Sequence, residues 1–331
     1  MKKLLVILLA ICCAFSLVAC GSKEENQPNT TDNGEKTLKV GVIQLLEHDA
    51  LDAATQGFCD AVEAALGDKL EGGKVVVQNA QGEQDICKTI ANGYVSDEYD
   101  LIMGNATPAL LSAKNATDTI PVLGTSVTDY ASALELDLVD GATGINVSGT
   151  SDGVPAQAYV DCLLEVVPEA KKVLVVYCSA EPNSVVQSDN FVAAMNATNP
   201  AVEVVVKTFD DSNDMRSVIA GNVDGVDALY IPTDNTAAAN MTNVSGVCEP
   251  LNIPVICGEE GMCNAGGTAT VSISYYNIGK VCGEMAVAIL NGADVSKMAV
   301  GYDNEPVKKY NAANVAAIGI TMPEGYVAIG E

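Results

Sequence analysis

The sequence predicts an α/β protein made of two doubly wound parallel-sheet halves. Three observations carry this reading. Short apolar runs closed by Gly, Pro or small polar residues alternate with stretches of helical periodicity from residue 38 onward, as in parallel sheets covered on both faces. The junction at residues 101–115, where an apolar run passes through Gly104 into Thr107-Pro108 and a helical stretch, recurs at residues 227–239, where Tyr230-Ile231 gives way to Pro232-Thr233-Asp234-Asn235 and a run of alanines. Polar residues also bunch at one type of edge, just after successive strands. Two doubly wound sheets each have a crevice at their strand ends, and two such crevices facing each other make one interlobe cleft.

The elements follow in order. Residues 38–46 read as the first strand, ending in Glu47 and His48, with Leu51, Ala54, Phe58, Val62 and Ala65 then at helical spacing. Residues 75–77 form the second strand, ending in Gln78-Asn79-Ala80-Gln81-Gly82, and a helix carrying Ile86, Ile90 and Val95 follows. After the third strand, Thr107 is placed as N-cap and Pro108 as the first helical residue, where its missing N–H needs no partner. Free N–H groups at such a helix start attract anions, carboxylates included. Residues 120–123 make a fourth strand, ending in Gly124-Thr125-Ser126-Val127-Thr128-Asp129, and residues 143–149 a further strand leading into the second half.

There the pattern restarts. A helix near 155–167 stops before Pro168, and a strand at 172–177 opens into Cys178-Ser179-Ala180-Glu181-Pro182-Asn183-Ser184 before the next helix. Strands follow near 202–207, 227–231, 254–257 and 268–273, the third of these closing on Glu259 and Glu260. A helix at 276–291 turns Ile278, Val281, Met285 and Ile289 inward, and residues 299–331 hold a short strand or two.

The N-terminus stands apart from this fold. Lys2 and Lys3 precede an apolar run from Leu4 to Ala19 that is short for a membrane span, and the run ends Leu17-Val18-Ala19-Cys20-Gly21, as an export signal does. The cysteine at the cut resembles the bacterial lipobox, which implies cleavage before Cys20 and lipidation of that residue. From Gly21 to about Thr37 no apolar residue occurs, so this stretch is a flexible tether. The net charge of −26 argues against nucleic acid and against peripheral binding to anionic lipid. Beyond Cys20 there remain Cys59, Cys87, Cys162, Cys178, Cys248, Cys257, Cys263 and Cys282, without zinc-type spacing and with a single histidine, His48, in the chain. Most of them lie in apolar or helical patterns and read as small buried side chains. No Gly-x-Ser-x-Gly, P-loop or Gly-x-Gly-x-x-Gly fingerprint is present, so neither enzyme, cofactor nor metal site is expected.

The run of residues 40–58, Val-Gly-Val-Ile-Gln-Leu-Leu-Glu-His-Asp-Ala-Leu-Asp-Ala-Ala-Thr-Gln-Gly-Phe, resembles the opening of the ABC-transporter substrate-binding proteins of the tryptophan and tyrosine type. So do Gln78-Asn79-Ala80-Gln81-Gly82, Ala106-Thr107-Pro108, Val127-Thr128-Asp129, Asn183-Ser184, the run from Tyr230 to Asn235, and Tyr275-Tyr276. The likeness covers nearly all of residues 38–325, in order. It departs where Tyr130 follows Asp129 in place of a common Pro, and where Cys178-Ser179-Ala180-Glu181 replaces a frequent Ser-Ser-Glu. The chain also lacks Trp, so stacking would fall to Tyr or Phe.

The resemblance implies a type I periplasmic-binding-protein fold with three hinge crossings. Residues 1–19 would be the signal peptide and 20–37 the lipidated tether. Residues 38–148 plus about 275–302 would make the N-terminal lobe, and residues 149–274 plus about 303–331 the C-terminal lobe. It also implies a lipid-anchored monomer on the outer face of the cytoplasmic membrane, delivering an amino acid, tryptophan, tyrosine or phenylalanine, to an ABC permease and its ATPase. The ligand-binding residues would be Glu47, His48, Asn79, Thr107, Thr125, Thr128, Asp129, Ser179, Glu181, Asn183, Thr233, Asp234, Asn235, Glu259 and Tyr275. The ligand carboxylate wants the hydroxyls of Thr107, Thr125 and Thr128 and a helix start. The ammonium wants a carboxylate, with Asp234, Glu181 and Glu259 as candidates, and an aromatic side chain wants a wall such as Tyr275 or Tyr177. The alternatives are the same fold holding a nucleoside or sugar, a ligand sensor, or a surface hydrolase.

Overall fold

The computed structural model describes residues 37–303 and 305–330. The expected signal segment, Cys20 and the tether up to residue 36 lie outside these residues. The chain runs β1 (Val40–Gln44), α1 (Asp49–Leu66), β2 (Val76–Asn79), α2 (Gln84–Ser96), β3 (Leu101–Asn105), α3 (Thr107–Ala116), β4 (Val122–Val127), α4 (Tyr130–Leu134) and β5 (Val147–Ser151). It then crosses to a second layer system: α5 (Ala156–Val166), β6 (Lys172–Cys178), α6 (Pro182–Thr198), β7 (Glu203–Phe209), α7 (Ser212–Ala220), β8 (Ala228–Ile231), α8 (Asn235–Ala238), α9 (Met241–Cys248), β9 (Val255–Cys257), α10 (Glu260–Asn264) and β10 (Ala269–Ser272). It returns for α11 (Tyr275–Leu290) and β11 (Gly301–Tyr302), and crosses once more to β12 (Val307–Tyr310), α12 (Ala312–Ile318) and β13 (Val327–Ala328).

Two sheets result, with strand orders β11-β5-β4-β3-β1-β2 and β13-β12-β10-β9-β8-β6-β7. In the first sheet every pair is parallel. In the second, β12 alone runs antiparallel to its neighbour β10, because the chain enters it directly from the last crossing and not through a crossover helix. The central strands β1, β3, β4, β5 and β8 are buried at every residue, as sheets covered on both faces require. The three crossings are tied to one another. Tyr275 Oη donates to Asp152 Oδ2 at 2.8 Å, linking the second crossing to the first, and Ser274 N donates to Asp303 Oδ2 at 3.2 Å, linking the second to the third.

Two helices are rotated from their expected faces. In α2 the buried stripe is Cys87, Ile90, Ala91 and Tyr94, while Ile86 is 38% exposed. Tyr94 sets this rotation, its ring lying over Gly41 and its hydroxyl donating to the carbonyls of Val42 and Val76. In α11, Val281 is 42% exposed and Ile278, Cys282, Ala286 and Ile289 face inward. Here Gly57 and Gly279 decide: a Cβ on Gly57 would lie 2.1 Å from Tyr276 O, and one on Gly279 2.0 Å from Ala54 O. Helices α1 and α11 therefore meet backbone to backbone, which turns Val281 outward and seats the start of α11 at the hinge. Helix α3 begins one residue earlier than the sequence suggests, with Ala106 before it and Thr107 as its first residue.

Candidate functional site

The strands of both sheets end toward the space between the lobes, and the residues there fall into two groups. The first is a framework. Glu181, buried before α6, accepts from Asn235 N (2.9 Å) and Asn235 Nδ2 (2.7 Å) on one oxygen, and from Thr236 N and Thr236 Oγ1 (both 2.8 Å) on the other. Asp234 caps α8 through Ala237 N (2.8 Å) and also accepts from Cys178 N (2.7 Å). Burial and the neighbouring Glu181 carboxylate raise its pKa. Glu259 caps α10 through the amides of Gly261 and Met262, and burial pushes it up to about 7. Thr233 is clamped by Gln187, whose amide oxygen accepts from Thr233 N (2.6 Å) and whose amide nitrogen donates to Thr233 Oγ1 (3.1 Å). Thr125 Oγ1 pairs with Thr150 Oγ1 at 2.9 Å inside the first sheet. Asp129 caps α4 by accepting from Ser132 N, and Asn79 Oδ1 closes its own turn onto Gln81 N. Ser179 is exposed and donates to Asp210, and Glu47 is exposed.

The second group has unused hydrogen-bonding capacity. Seven side-chain atoms among the described residues are buried without a hydrogen-bond partner: His48 Nδ1, Asn105 Oδ1, Thr107 Oγ1, Ser126 Oγ, Asp152 Oδ1, Asn183 Oδ1 and Ser188 Oγ. Buried polar groups are nearly always satisfied, so a set like this marks where another molecule completes the bonding. Each of the seven lies at the end of a strand or in the first two turns of the helix that follows. Five of them come from β1, β3, β4 and β5 of the first sheet, and two come from α6 of the second lobe. Sequence reasoning picked His48, Thr107 and Asn183 of these. It passed over Asn105 and Ser126, although both stood among polar residues at strand ends, and over Asp152, which directly follows β5. Ser188, in the second turn of a helix, had no signal.

Local backbone supports the same place. Ala106 has φ +87° and Ser126 φ +54°, values rare for residues with a Cβ and concentrated at functional sites. Because Ala106 brings no side-chain cap, α3 starts with its amides uncapped beside the free Thr107 hydroxyl, an anion-binding arrangement. Asp152 is fully buried. Its proton affinity is raised by burial and held back by the hydroxyls of Tyr275 and Thr128, although Oδ1 has no bond of ordinary geometry.

The lobes touch across this space. His48 Nε2 lies 3.2 Å from Asn235 Oδ1, and Gln84 Nε2 donates to Ala180 O at 3.2 Å. On one side of these contacts a cavity of about 540 Å³ opens between Leu45, Leu46 and Pro108 of the first lobe and Cys178, Ala180 and Thr236 of the second. On the other, a cavity of about 420 Å³ lies between Thr128 and Leu138 of the first lobe and Tyr159, Gln187 and Tyr230 of the second. Tyr230 stacks on Phe191 with ring centroids 4.0 Å apart, and Tyr159 packs beside it at 5.6 Å. Tyr177 belongs to the core of the same lobe. The eight cysteines of the described residues are free thiols, seven buried and Cys59 half-buried.

Two doubly wound lobes, three tied crossings and polar groups converging from both strand edges define a type I periplasmic-binding-protein fold. The profile of the ABC transporter substrate binding protein family matches residues 39–329. A tyrosine-binding protein of Clostridioides difficile is 35% identical over 304 residues, 90% of this chain and 87% of that one. A Streptococcus pneumoniae domain solved in complex with L-Trp superposes with a TM-score of 0.82 at 29% identity, over 89% of this chain and all of that one. The ligand-free, open structure of a substrate-binding protein with adhesive properties from Clostridium difficile gives 0.67 at 36% identity, over 88% and 99% of the two chains. The chain belongs to the ABC transporter substrate-binding protein family, whose members are solute receptors and not enzymes.

Proposed function

We propose that this receptor takes an amino acid with an aromatic side chain between its lobes and presents it to the permease of an ABC importer. The seven buried, unpartnered polar atoms carry this reading, because a zwitterion supplies both the acceptors and the donors they lack. The ligand carboxylate would receive the Thr107 and Ser126 hydroxyls and the uncapped amides of α3. Its ammonium would meet Asp152 Oδ1, the one carboxylate oxygen in the set. In this arrangement Glu181, Asp234 and Glu259 shape the second lobe by holding backbone amides in place. The tyrosine-binding relative and the L-Trp complex favour an aromatic side chain. Closing both lobes over one ligand would satisfy its two ends together and create the surface that a permease reads.

Isothermal calorimetry of the purified protein against the amino acids tests this. Tyrosine, tryptophan or phenylalanine should bind far more tightly than alanine or leucine. No binding by any aromatic amino acid would overturn the reading. We also propose that the mature chain is monomeric and lipid-anchored through Cys20 outside the cytoplasmic membrane. A Cys20→Ser chain should then be released from cells into the medium, and its retention at the membrane would count against the anchor.

A further inference from the structure

The geometry points to His48 as the residue that selects a hydrogen-bond donor on the ligand side chain, favouring a phenol O–H or indole N–H over a plain phenyl ring. This deepens the aromatic amino-acid reading and rests on it.

The argument begins across the cleft at Glu181. Its Oε2 accepts from Asn235 Nδ2 at 2.7 Å. A carboxylate can only accept, so the Asn235 amide has its nitrogen toward Glu181 and its oxygen toward His48. That oxygen lies 3.2 Å from His48 Nε2, so His48 must carry its proton on Nε2. In the neutral ring the other nitrogen is then a bare acceptor, and Nδ1 is a buried atom with no partner. The charged groups around the ring are Glu181 from the second lobe and Asp49 and Asp52 from α1, all favouring a second proton. Burial outweighs them and lowers the pKa of the ring. Glu181 and Asn235 thus fix the tautomer of a histidine on the opposite lobe, and leave one buried acceptor without a partner.

Strand order says which part of the ligand that acceptor meets. Asp152 follows β5, Ser126 lies on β4, Thr107 follows β3 and His48 follows β1, and the sheet order is β5-β4-β3-β1. The strands that lead to Asp152 and to His48 are three places apart, about 14 Å at the usual strand spacing, and the strands bearing the Thr107 and Ser126 hydroxyls lie between them. An α-amino acid held by its carboxylate at β3 and β4, with its ammonium toward β5, sends its side chain the other way, toward β1. The tip of a tyrosine or tryptophan side chain carries its donor there. A site built to bond such a donor rejects the analogue lacking it, because its own polar atom is then buried unpaired.

Calorimetry on the full chain with L-tyrosine, L-tryptophan and L-phenylalanine provides the test. The wild type should bind tyrosine or tryptophan at least tenfold more tightly than phenylalanine. His48→Phe should erase that preference by weakening the donor ligands, and His48→Gln, which keeps an acceptor, should restore part of it. As His48 is the chain's one histidine, its ¹⁵N resonances in the untagged, liganded protein report the tautomer without assignment, and an Nε2–H ring is expected. Phenylalanine binding as tightly as the other two, an unchanged preference in His48→Phe, or an Nδ1–H ring would each overturn the inference while the aromatic amino-acid reading stands. Absence of binding by all three ligands would remove both.

Discussion

Replacing Asp152 by Asn separates ligand binding from folding more cleanly than any other single change. The side chain is fully buried at the first crossing, with Oδ2 held by the Tyr275 hydroxyl at 2.8 Å and Oδ1 without a partner. In the proposed complex Oδ1 faces the ligand ammonium. Removing one member of a buried charged pair costs about 2–5 kcal/mol, so the dissociation constant should rise by about 30- to 4,000-fold. Without ligand the balance reverses. The ionised carboxylate is disfavoured by burial, as its raised pKa records, and the amide oxygen of the substituted side chain would still accept the Tyr275 hydroxyl. The ligand-free variant should therefore unfold in urea at the same concentration as the parent, or higher, with a gain of up to about 1–2 kcal/mol. Proton linkage gives a second signature. An ammonium requires the ionised carboxylate, so binding releases protons and affinity falls as the pH drops through the raised folded pKa, a dependence Asp152→Asn lacks. Titrations in buffers of different ionisation enthalpy measure the release. Unchanged affinity in the variant would place the ammonium elsewhere, and a loss of stability matching the loss of affinity would make Asp152 a structural residue only.

Other expectations concern the framework. Glu181→Gln keeps one acceptor oxygen but turns an NH2 group toward at least two of the five donors that Glu181 satisfies. It should cost about 2–4 kcal/mol in urea unfolding of the ligand-free protein, and a loss under about 0.5 kcal/mol would mean that the network is not formed in solution. The Glu259 carboxyl is raised from 4.5 to about 7, so the folded state holds its proton more tightly than the unfolded chain. That contribution is fully present below pH 4.5 and is lost as the pH rises toward 7, about 3 kcal/mol in all. Glu259→Gln should flatten this part of the stability–pH curve, and an identical curve would refute the assignment. Gly279→Ala would put a methyl group 2.0 Å from the Ala54 carbonyl and force α1 and α11 apart. A loss of more than about 3 kcal/mol is expected, and a circular-dichroism melt within a degree of the parent would show that the two helices do not pack so closely.

The layout of both lobes was legible because alternating strands and helices admit few arrangements, and the strand-end positions of the site came with it. What each of those residues does was not legible, because local sequence does not specify the partner. Thr107 and Thr125 look alike after successive strands. The hydroxyl of Thr125 is taken by Thr150, a partner set by the pairing of β4 with β5, while that of Thr107 is left free. Glu181, Asp234 and Glu259 look like free acids in loops, yet each faces a helix start that only the packing of the second sheet brings within reach. Helix rotation was hidden in the same way. Ile86 and Val281 are apolar at helical spacing, but Tyr94 in one case and the contact of Gly57 and Gly279 in the other settle which face turns inward. Asp152 is the sharpest instance. Its single-residue step beyond β5 is plain in the sequence, but its meaning comes from the crossing it occupies, where Tyr275, 123 residues later, takes one oxygen and leaves the other without a partner.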